Sequence, residues 1–466
     1  IEPVSFSFED KIALALQGSS WQDLQTINRT VEIPQQTSTN NGGAIVRTDA
    51  IQSDPEAIAK ALQKSKKQLR KKEQFDKRTE RDAGDYLQSI ALESIVPVIQ
   101  NVTWEQEPEV LCSYNWQAQS DNTNTIYVPG APAKWQPPPL PHTLDQDSGW
   151  QTNDHNYARK PRTPYEPMFH ALNAMNPSCK LNDVDVLADR NNLRVLLEFV
   201  QGKVNGPFRL DLFTMFSTLI IVRNEGKWWK FSDGKSYGSN FEKFFTRPAE
   251  GMEDATSHYR AIKYPMGPLN VVVRFEADGY DDGVQPDQPM RNESAVMSGG
   301  HVERPVFKYG APMRVLQKGH IVPMAQMIEM KTKAYYAEKG GSLVQCQDQL
   351  WFGRTSLLYT GPCSEGTGLI KKVKYENATE RVKKWEASNQ ESLRKLVSLL
   401  AFLRHFMQQQ RLRAVVLVRE EKNGPLTLRS MENGHLNLGS AEFMKFWRRE
   451  GQHGPGGSFR GQRGGR

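Results

Sequence analysis

The chain has 466 residues, 38% of them hydrophobic, and its 60 Lys and Arg against 53 Asp and Glu give a formal net charge of +7. This length suffices for one large domain or two ordinary ones, and the charge is compatible with a polyanionic partner. No apolar run approaches the ~20 residues that span a bilayer, so no membrane partner is expected.

The N-terminal segments are polar and then basic. Residues 1–55 are rich in Gln, Thr, Asn and Ser, and we expect them to form a disordered polar arm. Residues 56–84 combine many Lys and Arg with an apolar stripe between Ala57 and Leu62, which predicts a basic helix. This helix is either a solvated surface element or a phosphate-backbone contact or nuclear localisation element.

Residues 85–166 are rich in turn-forming residues. They contain Trp116, Trp135 and the run Pro137-Pro138-Pro139, which favours an extended conformation. We therefore expect this segment to wrap over a folded body that begins near Pro167.

The region 167–448 alternates helical and strand patterns. The spacing of its apolar residues predicts an amphipathic helix over residues 183–199 and a long helix over residues 378–408. Short apolar runs predict strands at 208–216, 218–222, 269–276, 325–331 and 414–418. Residues 279–325 are expected to be an inserted hairpin or loop. The predicted fold class is α/β in the broad α+β sense, a mixed, mostly antiparallel twisted sheet with flanking helices.

Two short motifs carry the chemistry. Glu276-Ala277-Asp278 and Glu329-Met330-Lys331 each end a predicted apolar strand, and residues i and i+2 of a strand project to one face. If the two strands pair, three carboxylates and one ammonium converge. Such oxygen ligands hold Mg²⁺ or Mn²⁺ for phosphodiester hydrolysis, while the lysine holds the attacking water or offsets negative charge.

Glu-x-Lys spacing alone is a weak signal. Glu225-Gly226-Lys227 and Glu420-Glu421-Lys422 have the same spacing, but both fall at predicted turn edges and neither follows an acidic strand. The copy at Glu329 differs because it ends an apolar strand and follows an acidic pair.

The order of five motifs resembles that of the decapping and exoribonuclease family, which has a PD-(D/E)xK nuclease core. In this family an arginine on a helix, G-x-x-F-E, E-x-D, E-x-K and a glutamine follow one another along the chain. The matching segments here are Asp189-Arg190-Asn191-Asn192-Leu193, Gly238-Ser239-Asn240-Phe241-Glu242, Glu276-Ala277-Asp278, Glu329-Met330-Lys331 and Gln349-Leu350-Trp351.

The resemblance implies a role for each matching residue. Glu276, Asp278 and Glu329 would bind the metal, with Glu242 joining them directly or through water. Lys331, with Glu329 and Glu242, would carry catalysis. Arg190 and Gln349 would hold the RNA 5′ end. The alternatives are a surface charge for Arg190, a loop amide for Gln349 and a solvated helix face for Glu242.

The chain departs from the family pattern in two places. Residues 279–325 separate motifs that the family keeps close together. The first 160 residues resemble a filamentous-fungal branch of unknown role instead, through Ser113-Tyr114-Asn115-Trp116 and Val128-Pro129-Gly130-Ala131-Pro132. Proteins of that branch are sometimes labelled geranylgeranyl pyrophosphate synthetase.

The expected function is metal-dependent hydrolysis of RNA at its 5′ end, by decapping, pyrophosphate removal or 5′–3′ exoribonuclease action. The first alternative is a catalytically inactive relative that binds RNA or an exonuclease. The remote alternative is a prenyl-diphosphate synthase, which would use Asp281, Asp282 and Asp287 as a magnesium motif.

The expected partners are RNA and a 5′–3′ exoribonuclease, and the expected location is nuclear or cytoplasmic, with the nucleus favoured. The Gly/Arg-rich tail at 449–466 is expected to be disordered. It either binds RNA or serves as a solubilising tail.

Overall fold

The computed structural model describes residues 55–118, 123–203, 206–225, 228–234, 236–283, 306–335, 345–364, 366–432 and 434–448. The predicted arm before Pro55 and the Gly/Arg-rich tail lie outside the described residues, as do residues 284–305 of the insert and Gly226-Lys227. The chain divides into two units, residues 1–78 and 79–466. Among the described helices, none is long and apolar enough to cross a membrane.

The basic segment contains the helix Pro55–Glu80. This helix ends at Glu80, four residues earlier than expected, because Asp82 takes a left-handed conformation (φ 59°) and a strand begins at Ala83. The α-helices of the described residues are α1 (Pro55–Glu80), α2 (His155–Arg159), α3 (Glu166–Met175), α4 (Arg190–Val200), α5 (Gly238–Phe245), α6 (Gln347–Gly353), α7 (Thr379–Ser388) and α8 (Gln390–Gln409).

The strands supply two large sheets. In chain order they are β1 (Ala83–Ile90), β2 (Glu109–Gln117), β3 (Asn124–Gly130), β4 (Lys134–Trp135), β5 (His142–Thr143), β6 (Ser148–Thr152), β7 (Val186–Asp189), β8 (Phe208–Met215), β9 (Thr218–Arg223), β10 (Trp229–Asp233), β11 (Thr246–Arg247), β12 (Ala255–Met266), β13 (Leu269–Ala277), β14 (Gly279–Tyr280), β15 (Met313–Gly319), β16 (Met327–Tyr335), β17 (Leu357–Ser364), β18 (Leu369–Ile370), β19 (Lys374–Asn377), β20 (Ala414–Arg419) and β21 (Leu426–Met431).

The larger sheet has eleven strands in the order β1-β21-β20-β8-β9-β7-β13-β12-β2-β3-β15. Most neighbours are antiparallel, while β7 is parallel to both β9 and β13 and β15 is parallel to β3. A second sheet has the order β11-β4-β14-β16-β17-β18-β5, with β19 also paired to β17. The predicted fold class, a mixed and mostly antiparallel sheet with flanking helices, is confirmed.

Alternating residues of β13 reach opposite faces of the larger sheet. Val271, Val273 and Phe275 belong to one buried core, whereas Val272 belongs to the other. A third and smaller core lies on the second sheet and contains Ile328. The side-chain alternation of a strand therefore anchors β13 on both faces and leaves its C-terminal end to carry polar residues.

Several predicted elements were wrong in their details. Residues 186–189 form β7 rather than the first turn of a helix, because all four are buried between two parallel neighbours, and a strand covered on both faces is continuously apolar. The predicted helix over 378–408 is two helices, α7 and α8, which meet at Asn389.

The segment 85–166 is not a wrapping arm. Its strands β2 and β3 are interior members of the larger sheet, so the folded body begins well before Pro167. The insert is also partly structured, because β14 and β15 each join a sheet. The turn-forming residues in these segments concealed the short strands between them.

Candidate metal centre

The E-x-D motif lies where β13 ends. Glu276 is opposite Tyr259 of β12 in the sheet register. Asp278 lies between β13 and β14, and Gly279 of β14 pairs with Ile328 of β16. The chain therefore passes from the larger sheet to the second sheet at this point, which brings the E-x-D motif beside the strand that carries the E-x-K motif.

The E-x-K motif lies within β16 rather than at its end. Ile328 and Met330 pack into the small core of the second sheet, so strand alternation directs Glu329 and Lys331 to the opposite face. Lys331 Nζ lies 2.5 Å from Glu329 Oε1 and 3.4 Å from Asp278 Oδ2. The backbone N–H of Met330 donates to Asp278 Oδ2 at 2.8 Å. The two motifs therefore meet at Asp278, Glu329 and Lys331, although β16 pairs with β14 and β17 and not with β13.

Arg190 is the first residue of α4, directly after β7. Its Nη1 donates to Glu329 Oε2 at 3.0 Å, and its Nη2 donates to the backbone oxygen of Glu276 at 3.4 Å. Its guanidinium also lies 5.2 Å from the centre of the Phe275 ring. Burial alone would raise the pKa of Glu329, but Arg190 and Lys331 outweigh it and lower that pKa to about 2. Arg190 is thus an ion-pair partner of the carboxylates.

Glu242 reaches the same place from α5. Phe241 and Phe245, on either side of it, are buried in the small core. Asp147 holds the start of the helix by accepting hydrogen bonds from the backbone N–H groups of Ser239 at 3.2 Å and Asn240 at 2.9 Å. Burial and the neighbouring Asp278 raise the pKa of Glu242 well above its usual range, against the opposing effect of Lys331.

These residues form a cluster with more negative than positive groups, here called the carboxylate cluster. Its members are Glu242, Glu276, Asp278 and Glu329 with the cations Lys331 and Arg190. Glu329 is 2% exposed, whereas Glu276 is accessible to solvent. Desolvation by the surrounding protein, with Asp154 and Asp278 nearby, still raises the pKa of Glu276 to about 8, although solvent screening tempers the energetic effect. When all four carboxyl groups are ionised they outnumber the two cations, so a bound divalent cation would favour their ionised forms.

The donor set fits a hard divalent cation, because carboxylate oxygens are the preferred ligands of Mg²⁺ and Mn²⁺. Among the described residues, no three His, Cys, Asp or Glu side chains already stand together at metal-ligand spacing. Oxygens of Glu329 and Asp278 face Lys331 and Arg190 instead. A metal would therefore compete with these two cations for the same oxygens.

Gln349 is not brought into this cluster. It lies on α6 and not in a loop, as the alternative interpretation had it, and it is half-buried. Arg194 of α4 holds α6 through an ion pair with Asp348 at 2.7 Å. The structure shows no hydrogen bond from the Gln349 side chain to the carboxylates within the described ranges, so its expected contact with an RNA 5′ end stays a prediction.

Residues 87–435 match the family model described as Domain of unknown function (DUF8563). The chain belongs to this family. No curated protein matches the sequence.

The chain is also similar to solved structures of Rai1 and Dxo1 proteins. Scheffersomyces stipitis Rai1 with (3′-NADP)+ and calcium is 13% identical, with a TM-score of 0.49 over 77% of this chain and 99% of that one. Candida albicans Rai1 with pU5-Mn²⁺ is 12% identical, with a TM-score of 0.45 over 77% and 98%. K. lactis Dxo1 with manganese is 8% identical, with a TM-score of 0.44 over 75% and 96%. Sequence identities this low do not assign an activity to this chain. An activity has to be argued from the residues of the site.

Two polar neighbours of the cluster were missed by the sequence reasoning. Tyr259 Oη lies 3.4 Å from Glu276 Oε2 and 3.4 Å from Asp154 Oδ1. Burial and the nearby Asp189 raise the pKa of Asp154 to about 6. Asp154 could have been noticed as the N-cap of α2, where it accepts from Asn156 N at 2.8 Å, whereas Tyr259 is found only from the pairing of β12 with β13.

The other Glu-x-Lys motif in the described residues is solvent-exposed, and the aspartates at 281 and 282 contact residues outside the carboxylate cluster. Glu420, Glu421 and Lys422 are solvent-exposed after β20, as expected for a turn. Asp282 pairs with Lys134 at 2.8 Å, and Asp281 accepts from Tyr359 Oη at 2.5 Å, while Asp287 lies outside the described residues. The strand-rich fold also lacks, throughout the described ranges, the helical bundle that a prenyl-diphosphate synthase needs, so this remote alternative was wrong.

Proposed function

We propose that this chain is a metal-dependent hydrolase that acts at the 5′ end of RNA, of the decapping, pyrophosphohydrolase or 5′–3′ exoribonuclease type. The observation that carries the proposal is the contact of Lys331 with Glu329 at 2.5 Å and with Asp278 at 3.4 Å. Besides burial, the charge of Asp278 raises the pKa of Glu242 and of Glu276, so acidic groups from α5, β16 and the end of β13 lie near one another. Hard oxygen ligands hold the metal ion in phosphoryl chemistry, and a nearby cation stabilises the developing negative charge.

Mg²⁺ or Mn²⁺ is the proposed cofactor, held by the four carboxylates. When bound, such an ion stabilises charge on phosphoryl oxygens and lowers the pKa of water. Because the pKa of Glu276 is raised to about 8, its carboxyl group holds a proton at neutral pH that metal binding would displace. The pKa of Glu242 is raised as well, by burial and by Asp278. The exposure of Glu276 gives solvent and substrate access to the cluster.

Lys331 acts as a fixed positive charge in this proposal. Burial would lower its pKa, but Asp278 and Glu329 outweigh burial and raise the pKa above its ordinary value. The ammonium therefore stays protonated at neutral pH and cannot serve as a general base. It can donate hydrogen bonds to a phosphoryl oxygen or to the attacking water. Arg190 acts through Glu329, whose position it fixes.

RNA as the substrate is supported by the order of the five motifs and by the net charge of +7. A 5′–3′ exoribonuclease as protein partner and a nuclear or cytoplasmic location, with the nucleus favoured, belong to the same proposal. The role of Gln349 at the RNA 5′ end is part of it as well.

A catalytically inactive, RNA-binding relative is the second candidate. It is favoured by the pairing of both Glu329 oxygens with Lys331 and Arg190 at 2.5 and 3.0 Å. A cluster neutralised in this way can persist as a structural element. The two candidates differ in whether divalent metal displaces these pairs and permits hydrolysis.

The deciding experiment incubates the purified protein and Mg²⁺ or Mn²⁺ with RNAs that carry a 5′-triphosphate, a 5′-monophosphate or a cap. A Glu329→Gln/Lys331→Met double variant removes both charges of the buried pair. A Glu420→Gln/Lys422→Met variant changes the same residue types at the same spacing on an exposed turn. Hydrolysis by the wild type and the control, lost in the first variant, supports the proposal. Absence of hydrolysis with undiminished RNA binding supports the inactive relative.

A further inference from the structure

Arg159, the last residue of α2, is a buried cation that has no ionic partner among the described residues. Its side chain is 2% exposed. The guanidinium lies between two aromatic rings, 4.7 Å from the centre of Trp116 and 4.6 Å from the centre of Phe307. Its Nε is buried and has no hydrogen-bond acceptor, and no carboxylate of the described chain forms an ion pair with it. Such a group is costly unless an acceptor completes it.

A second unpaired donor lies on the same helix. Asn156 Oδ1 accepts from Tyr114 Oη at 2.7 Å and from Trp116 Nε1 at 3.0 Å. These two donors identify the oxygen end of the amide, and they leave Nδ2 buried without a partner. The helix therefore presents a cationic and a neutral N–H donor, both without an acceptor, at the same tryptophan.

Burial lowers the pKa of Arg159 to about 10, so the guanidinium remains charged at neutral pH. Its flat faces are covered by Trp116 and Phe307, and hydrogen bonding is confined to its edge. An acceptor that satisfies this edge and an amide N–H together should be negative and carry more than one oxygen. A phosphate group has both properties and is a common partner of arginine.

The two donors, on Arg159 and Asn156, lie close to the carboxylate cluster. Tyr114, Tyr259 and Glu276 are consecutive partners across β2, β12 and β13. Trp116 lies two residues beyond Tyr114, so the spacings of a sheet place its Cα about 12 Å from that of Glu276. The helix α2 begins next to Asp154, which shares Tyr259 with Glu276. The unpaired donors thus lie beside the cluster and not within it.

We propose that Arg159 and Asn156 bind one phosphate group of the nucleic-acid substrate while a neighbouring phosphate occupies the carboxylate cluster. This assignment rests on the proposed function, because it takes the substrate to be RNA. The phosphate oxygens supply the acceptors that Arg159 Nε and Asn156 Nδ2 lack. Trp116 and Phe307 cover the two faces of the guanidinium, so the phosphate binds at its edge.

The first test measures thermal unfolding without divalent metal, in EDTA, with inorganic phosphate against sodium chloride at equal ionic strength. The variant Arg159→Met keeps an apolar side chain between the two rings, and Arg162→Met changes an exposed arginine nearby. We expect phosphate to raise the Tm of the wild type and of the Arg162 variant but not that of the Arg159 variant. An equal phosphate effect in all three proteins, or none in the wild type, overturns the proposal.

The variant Asn156→Asp distinguishes phosphate binding by Arg159 from a purely structural role of this residue. The aspartate retains the oxygen that accepts from Tyr114 and Trp116, but it replaces the N–H donors with a negative charge. We expect it to raise the Tm in phosphate-free buffer by supplying an internal partner for Arg159, and to abolish the response to phosphate. Retention of the full phosphate response in this variant contradicts the proposed site.

The second test identifies the source of the phosphate. The probe is a 5′-phosphorylated uridine pentanucleotide, and its affinity is measured without divalent metal. Loss of a charge-assisted hydrogen bond should weaken binding about 10- to 100-fold in Arg159→Met, with Arg162→Met unchanged. A phosphate-dependent Tm without any effect of Arg159 on RNA affinity overturns the assignment to nucleic acid. Both tests measure binding and not hydrolysis. A failure of the phosphate site can therefore be distinguished from a failure of the proposed function.

Discussion

Arg190 Nη1 lies 3.0 Å from Glu329 Oε2, while Lys331 Nζ lies 2.5 Å from the other oxygen of the same carboxylate. Glu329 is 2% exposed, so these two cations, one from α4 and one from β16, provide the charge compensation that water cannot. Arg190 thus links α4 to β16 of the second sheet through its ion pair with Glu329. Its expected contact with the RNA 5′ end stays a prediction.

Removing both partners of the Arg190–Glu329 pair should destabilise the fold by less than the sum of the two single removals. Arg190→Met leaves Glu329 with Lys331 as its single cation, and we expect a loss of about 2–4 kcal/mol in the free energy of unfolding. In the Arg190→Met/Glu329→Gln double variant the uncompensated charge is gone, so the loss should be smaller than the sum of the single losses. Urea denaturation in EDTA measures this double-mutant cycle. Additive single effects would show that the two side chains do not interact.

The contribution of Glu329 to the free energy of unfolding should decrease as the pH falls. Its pKa in the folded state is lowered to about 2 from an ordinary 4.5. A lowered folded pKa stabilises the protein above the unfolded pKa, and this stabilisation disappears as pH falls through the folded value. The destabilisation caused by Glu329→Gln should thus be full at pH 6 and shrink progressively between pH 4.5 and pH 2. Denaturation curves across this range check it, with exposed Glu420→Gln as the control. A pH-independent difference would contradict the lowered pKa.

Binding of Mn²⁺ should release protons and tighten as pH rises. The pKa of Glu276 is about 8, so at pH 7 its carboxyl group is largely protonated and must lose its proton to become a ligand. We expect about one proton released from this residue at pH 7 and almost none at pH 9. Calorimetry in buffers of different ionisation enthalpy measures the number, and Glu276→Gln should reduce both the proton release and the affinity. Mn²⁺ affinity that is constant between pH 6 and pH 9 would argue against Glu276 as a ligand.

Asp147 should influence metal binding without touching the metal. Its carboxylate accepts from the N–H groups of Ser239 and Asn240 at the start of α5, and Glu242 lies one turn further along this helix. Asp147→Ala removes this cap, which should cost about 0.5–2 kcal/mol of stability and weaken Mn²⁺ binding several-fold. Asp145→Ala, an exposed neighbour, is the matched control. If Mn²⁺ affinity is unchanged while stability falls, Glu242 does not depend on this end of the helix.

The E-x-D and E-x-K pair could be predicted from the sequence because each motif depends on local geometry. A strand places residues i and i+2 on one face, and the apolar residues before Glu276 and around Glu329 mark both strands. The convergence of Glu242 on the same point was implied only by the motif order. Its physical cause, the burial of Phe241 and Phe245 in the small core, appears only once the core is known.

What could not be predicted depends on contacts between distant segments. Tyr259 and Glu276 meet because β12 pairs with β13 in one register. Residues 186–189 have the composition of either a helix turn or a buried strand, and their placement between two parallel strands decides which one forms. The ion pair of Arg190 could not be predicted from the sequence because its partner Glu329 is 139 residues away.

The order of strands in the larger sheet has a consequence for the synthesis of the chain. β1 at residues 83–90 has only β21, at residues 426–431, as its neighbour in that sheet. A ribosome therefore completes more than 330 further residues before this early strand can pair, at about 5–20 residues per second. For that interval the exposed N–H and C=O groups of β1 are open to other partners. A nascent-chain chaperone is thus expected to matter more for this protein than for one whose neighbouring strands are consecutive in sequence.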